Sequence, residues 1–285
     1  MQKDSAVLLD GMIGALMSCI SCFPRLNPLF SFRQLERHMD FSIIIPALNE
    51  GHKIAVDVRA AAEFIVNHFK SGQVIVVSDG STDNTAEKAR VPLPAAVQLK
   101  VLSYEINRGK GYAVRRGILE STGTYVMFAD SGLCVPYNNA LRGLALLQQG
   151  CHLAHGSRKR KDSIVVRKHR TSRQMTSKLF LLFLKIGLQL PRHITDTQCG
   201  FKMYNGDIAR ELYAELVSDG FLFDLETILR AKKKNYRICE FPVEWTADTD
   251  TRLELARMPT HILSSLLHMR KEMAKTKPKT ANEKS

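Results

Sequence analysis

Two stretches decide the fold: FSIIIPALNE at residues 41–50 and VIVVSDGSTDNT at residues 74–85. Each begins as an unbroken Ile- and Val-rich run and ends in polar, turn-forming residues. Such runs, with no polar alternation, read as parallel strands covered on both faces. In open α/β sheets, ligands collect outside the carboxyl ends of those strands. The two polar ends therefore predict a crevice of nucleotide size, reached by Asn49, Glu50, Asp79 and Asp83.

Working outward, strand-like runs alternate with amphipathic helices, the pattern of a βαβ sheet. Helices are predicted at 54–68, from Thr85 on, at 109–120 and at 138–149; strands at 74–77, 97–103, 125–129 and 151–155. The strand YVMFA delivers Asp130 to the crevice. Beyond a basic segment come an apolar helix at 175–190, a polar turn at 196–201, helices at 208–216 and 223–233, and a strand at 237–242. Three regions are expected: a poorly defined N-terminal extension over 1–38, one α/β domain over 39–253, and an amphipathic helix with a disordered basic tail over 254–285.

The 285 residues carry 41 Lys and Arg against 28 Asp and Glu, a net charge of +13, which implies an anionic partner. Between Gly156 and Lys178, nine basic residues face one acid, Asp162. No aromatic residue interrupts them, and a nucleic-acid groove would interleave stacking platforms with the charges. A phosphorylated substrate or a membrane face fits better than nucleic acid. The six cysteines form no framework spacing, so unpaired thiols in a reducing compartment are expected. The apolar stretch 6–23 is broken by Asp10 and two glycines and falls short of the ~20 residues that span a bilayer. It reads either as a membrane-contacting amphipathic segment or as a non-native extension before a start at Met39.

Seven motifs occur in order: IIIPALNE (43–50), SDGSTDNT (78–85), NRGKG (107–111), FADSG (128–132), GSR (156–158), DTQCGFKMY (196–204) and FLFDLE (221–226). On these, residues 40–253 resemble the family 2 glycosyltransferases, inverting enzymes of the GT-A fold. The likeness is greatest to members that move a sugar from a nucleotide sugar onto polyprenyl phosphate, such as the dolichyl-phosphate β-glucosyltransferases. The resemblance implies a Rossmann-like, mostly parallel central sheet flanked by helices. It places Pro46, Asn49, Glu50 and Asp79 at the nucleoside, and carboxylates suit that task because hydroxyl and N–H donors satisfy them. Lys110, between two glycines at a helix start, is expected at the nucleotide's polar edge or phosphates.

Relatives carry Asp-x-Asp where this chain has Asp130 and Gly132. Mg²⁺ or Mn²⁺ is expected on Asp130, the cation completing its shell with water and substrate phosphate oxygens. A metal-poor site assisted by basic side chains is the alternative. Arg158 and Arg170 match the acceptor-loop arginines that grip phosphate, a task for which the planar guanidinium fork is suited. The resemblance places Asp196 beside the reacting sugar, with Gln198 in support. Asp196 would be the general base for a hydroxyl acceptor and an orienting group for a phosphate acceptor, which is already anionic.

The expected activity is inverting transfer of a hexose, glucose from UDP-glucose, onto a polyprenyl or dolichyl phosphate at the cytoplasmic membrane face. Transfer to a sugar hydroxyl and non-catalytic nucleotide-sugar binding are the alternatives. Peripheral contact with anionic lipid is assigned to the C-terminal segment 257–274, where Ile262, Leu263, Leu266, Leu267 and Met269 form an apolar stripe among Lys and Arg.

Overall fold

The computed structural model describes residues 41–166, 190–247 and 259–275 of the chain, with side chains in the last span given at 266–273 and 275. All of them fall in one compact unit, Glu36–Ser285. Arg170, the N-terminal stretch with Cys19 and Cys22, and the apolar helix expected at 175–190 lie outside the described residues, except for buried Leu190.

A seven-stranded sheet runs β3-β2-β1-β4-β7-β5-β8. Its strands are β1 (Phe41–Ala47), β2 (Gly72–Asp79), β3 (Val97–Tyr104), β4 (Tyr125–Ala129), β5 (Leu153–Ser157), β7 (Phe201–Asn205) and β8 (Ile238–Pro242). A second, two-stranded ribbon pairs β6 (Ile164–Val165) with β9 (Glu244–Trp245). The described helices are α1 (Ile54–His68), α2 (Thr85–Lys88), α3 (Lys110–Leu119), α4 (Ala140–Gln148), α5 (Gly206–Ala214), α6 (Phe223–Lys233) and α7 (Pro259–Lys275). A 3-10 turn, Tyr137–Asn139, leads into α4.

All seven residues of β1 are buried, as its unbroken apolar run predicts. Alternate side chains of a strand point to opposite faces. Phe41, Ile43 and Ile45 accordingly join one core with α1 and α4, while Ile44 joins a second with α3, α5 and α6. Burying each such side chain contributes roughly 1.5–3 kcal/mol. Pro46 is tolerated within β1 because pairing with β4 has already ended at Ile44.

Strands β1 to β4 are parallel, and β7 is antiparallel to both of its neighbours, β4 and β5. The sequence reading placed only a polar turn and motif residues there, so β7 is an addition. Its direction matters, because the N-terminal end of an antiparallel strand lies beside the C-terminal ends of parallel ones. Gly200 therefore meets Asp130, whose backbone N–H donates to the Gly200 carbonyl at 2.9 Å.

The cysteines depart from expectation. Cys151 and Cys239 are joined in a disulfide across 88 residues of sequence, while Cys134 and Cys199 are free thiols. Parallel pairing of β5 with β8 creates that proximity, which linear spacing does not reveal.

Helix α7 is present where the amphipathic segment was expected, but its stripe is partly committed. Leu266 and Met269 are buried in the second core, and Leu267 remains 60% exposed. Among the described residues, no helix is long and apolar enough to cross a membrane.

Candidate active site

The polar ends of β1 and β2 are laced together. Asn49, with a left-handed φ of 53°, accepts the Thr82 N–H on its side-chain Oδ1 at 2.7 Å. The Asn49 N–H donates to Ser81 Oγ at 3.0 Å, and the Glu50 N–H donates to Thr85 Oγ1 at 2.8 Å. Asp83 accepts the Gly51 N–H and the Thr85 N–H, holding the β1 loop and starting α2 together. Glu50 pairs with Lys53 at 2.9 Å.

Asp79 is only 4% exposed, and its carboxylate organises the next motif. It accepts the backbone N–H of Arg108 at 2.8 Å and of Gly109 at 2.9 Å, and Asn107 Nδ2 at 3.2 Å. This fixes the NRGKG loop at the head of α3. Gly109 there has φ of 102°, and an added Cβ would lie 2.6 Å from the Asp219 carbonyl, so both conformation and space call for glycine.

Directly after that loop, Lys110 Nζ pairs with Asp130 Oδ1 at 2.5 Å. Burial alone would lower the lysine pKa, but Asp130 and Asp224 together leave it raised. Asp130 itself retains 37% side-chain exposure at the end of β4. Its carboxylate lies flat against Gly200, where a Cβ would come within 1.9 Å of Oδ2. The position expected to carry a second acid, Gly132, instead donates its N–H to Asp57 Oδ2 at 2.7 Å. Asp57 is buried, and burial pushes its pKa up to about 6.

Asp196 is 1% exposed and gripped at both oxygens by Arg158, Nε to Oδ2 at 2.7 Å and Nη2 to Oδ1 at 2.9 Å. The Arg158 backbone N–H adds a third donor at 3.0 Å, and the Gln198 N–H a longer one at 3.3 Å. Burial works to raise the Asp196 pKa, and Arg158 overrides it, holding the carboxyl down at about 2. The guanidinium keeps 29% exposure and lies 5.3 Å from the Trp245 ring centre. Behind this pair, Glu240 on β8 accepts the backbone N–H of Thr195 at 2.8 Å and of Asp196 at 2.9 Å, plus the Thr195 hydroxyl at 2.7 Å.

Beneath the site, Lys202 and Asp224 form a fully buried ion pair. Lys202 Nζ also donates to the carbonyls of Thr197 at 3.1 Å and Cys199 at 3.0 Å, anchoring the DTQCG turn. Glu226, likewise buried, accepts the N–H groups of Val217 and Ser218 and pairs with Arg230. It shapes the loop that packs on the start of α3, where the Tyr112 N–H donates to the Asp219 carbonyl.

Residues 42–213 match the profile described as Glycosyl transferase family 2. The chain belongs to this family. The dolichyl-phosphate beta-glucosyltransferase of Drosophila melanogaster is 31% identical over 230 residues, 75% of this chain and 69% of that protein. The enzyme of the same name from Dictyostelium discoideum is 30% identical over 225 residues, covering 75% and 68%. Among solved structures, glucosyl-3-phosphoglycerate synthase from Mycobacterium tuberculosis, in complex with Mg²⁺ and UDP, superposes with a TM-score of 0.59 at 20% identity over 81% of this chain and 79% of that one. That likeness establishes the GT-A fold.

In this glycosyltransferase most of the expected site residues fall into local sets of contacts. Asn49 and Glu50 tie to the 81–85 loop, Asp79 to the 107–109 loop, Lys110 to Asp130, Asp130 to Gly200, and Asp196 to Arg158. Pro46 sits inside β1, two residues before the exposed loop begins at Leu48. Arg170 lies outside the described residues. Sequence reasoning did not single out Asp57, Lys202 or Glu240. Lys202 could have been suspected as a cation flanked by the apolar Phe201 and Met203 in the strand Phe201–Asn205, whereas Glu240 gives no local signal.

No group of three or more His, Cys, Asp or Glu side chains among the described residues is arranged to hold a divalent cation. Asp130 keeps 37% of its side chain exposed while pairing with Lys110, and Gly132 stands where relatives carry the second acid. This fits a cation that takes a single protein ligand and fills its shell from water and a diphosphate.

Proposed function

We propose that the enzyme transfers glucose from UDP-glucose, with inversion, onto a polyprenyl or dolichyl phosphate at the cytoplasmic face of a membrane. The observation that carries the acceptor class is the state of Asp196. A carboxyl held at about 2 by a two-pronged guanidinium, and 1% exposed, is a poor proton acceptor at neutral pH. A sugar hydroxyl would need a base to remove its proton. A phosphate monoester, with a second pKa near ~6, needs none and requires only positioning. The curated relatives named as dolichyl-phosphate beta-glucosyltransferases support the same acceptor.

In this reading Pro46, Asn49 and Glu50 border the nucleoside, together with the 107–109 loop that Asp79 fixes. Lys110 moves between Asp130 and the donor phosphates, neutralising charge that accumulates on the leaving diphosphate. Mg²⁺ or Mn²⁺ on Asp130 would supply further neutralisation there, in keeping with the Mg²⁺ and UDP of the mycobacterial structure. Arg158, oriented by Asp196, offers its exposed edge to the acceptor phosphate, with Gln198 alongside and Arg170 as a further expected grip. The phosphate oxygen attacks the anomeric carbon as the bond to the diphosphate breaks. UDP leaves, and no proton needs to be taken up by the protein.

The test is direct. Purified protein with labelled UDP-glucose should label a lipid phosphate, and Asp130→Ala should abolish that transfer. Labelling of soluble sugars in preference to lipid phosphate would overturn the acceptor assignment.

A further inference from the structure

We propose that His155 is a positioning residue for the acceptor side of the site: a neutral imidazole beneath residues 195–199 that holds an enclosed water in common with the Thr197 hydroxyl and so steadies the turn bearing Asp196. The proposal rests on the lipid-phosphate reading above and deepens it. It names what keeps Asp196, and through it Arg158, in place for the acceptor.

The turn lies across one face of three neighbouring strands. On β8, Glu240 accepts the Thr195 and Asp196 N–H groups at 2.8 and 2.9 Å. On β5, Ser157 Oγ lies 2.8 Å from Thr195 Oγ1. On β7, Lys202 Nζ donates to the Thr197 and Cys199 carbonyls at 3.1 and 3.0 Å. His155 occupies the middle of that layer. It is in register with Lys202 on one side and Glu240 on the other, and it shares its face with Ser157, two residues along β5.

Glu240, Ser157 and Lys202 are all bonded to the turn, and His155 is not. It is 0% exposed, yet neither ring nitrogen has a hydrogen-bond partner among the described residues. The hydroxyl of Thr197, a residue 1% exposed, is in the same condition. Tyr204 meets the imidazole edge-on, 5.9 Å between ring centres, but its own hydroxyl is engaged by Tyr213 at 3.0 Å. Burial and the Lys202 charge hold His155 neutral, well below the usual histidine pKa, against the pull of Asp196.

A neutral imidazole offers one donor and one acceptor. Buried polar groups that find no protein partner are bridged by water where two or more can share it. His155 and Thr197 supply that sharing at the one place where the turn crosses β5 and β7 together. If His155 only filled space, an apolar ring of similar size would serve as well, because it removes two unpaired atoms and leaves no new one.

Kinetics of the full chain with UDP-glucose and a detergent-dispersed polyprenyl phosphate separate the two roles. His155→Phe should raise the acceptor KM about tenfold while the Kd for UDP-glucose stays within about twofold. His155→Gln, which keeps a donor and an acceptor, should recover most of that loss. Thr197→Val, which removes only the hydroxyl, should repeat the effect, and adding it to His155→Phe should change little more. Nitrogen NMR spectra of the parent without substrate should show the His155 ring in one neutral tautomer, and Thr197→Val should shift its signals. Should His155→Phe fail to fold, Thr197→Val and the spectra decide. A parent-like acceptor KM in the variants, equal weakening of donor and acceptor, or ring signals unmoved by Thr197→Val would overturn the proposal. Absence of lipid-phosphate transfer by the parent itself would instead sink the acceptor reading, and the spectra, which need no acceptor, would still judge the link between His155 and Thr197.

Discussion

Arg158 and Asp196 meet fork to fork, Nε and Nη2 on the two carboxylate oxygens at 2.7 and 2.9 Å, with the acid buried and the base partly open to the crevice. The acid thus sets the direction of the guanidinium. Asp196→Asn should lower kcat/KM for lipid phosphate by about 10²-fold, of the order seen when a catalytic site loses a positioning contact. The ascending limb of the pH–rate profile, which belongs to the acceptor phosphate, should stay near pH ~6. Loss of that limb in the variant would identify Asp196 as a base and restore the hydroxyl-acceptor alternative.

Asp196 and Asp57 should show opposite pH dependences of stability. The depressed pKa of Asp196, about 2, means its pairing contributes above the unfolded value near 4 and is lost as pH falls toward 2. The raised pKa of Asp57, about 6, means a penalty that is absent below pH ~4 and complete above pH 6, on the order of 3 kcal/mol. Asp57→Asn keeps an acceptor for the Gly132 N–H and removes the charge. Its melting temperature relative to the parent should therefore rise between pH 4 and pH 7; a flat difference would contradict the assignment.

Lys202 and Asp224 are buried partners, and removing one strands the other. Lys202→Met alone should cost ~3–5 kcal/mol in denaturant unfolding, since it also leaves the carbonyls of Thr197 and Cys199 unpaired. Pairing it with Asp224→Leu should cost at least ~1 kcal/mol less than the sum of the single changes. Strict additivity would show that the two charges are not coupled.

Gly200 leaves no room for a side chain under Asp130. Gly200→Ala would put a Cβ 1.9 Å from Oδ2 and displace the carboxylate. Turnover should fall at least tenfold with little change in melting temperature, and a fully active variant would place the productive Asp130 elsewhere.

Much of the donor half was legible because it rests on local signals. The Ile and Val runs of β1 and β2, and the helix over 54–68, lie where periodicity puts them. The acceptor half was less so. Strand β7 hides because Phe201–Asn205 contains buried Lys202, whose charge makes sense only once Asp224 arrives from α6. Glu240 supports Asp196 from a strand 44 residues away, a relation set by sheet order alone. The second core likewise claims Leu266 and Met269, which amphipathicity by itself cannot distinguish from a membrane-facing stripe.

The link between Cys151 and Cys239 encloses Arg158, Asp196, Lys202 and Asp224 within one covalent ring. A protease that cuts anywhere between those cysteines opens the ring without releasing a fragment. On a gel run without reductant, the nicked enzyme would keep its full mass, and only a thiol reagent would part the two pieces. For this half of the molecule, chain continuity and physical integrity are separate properties.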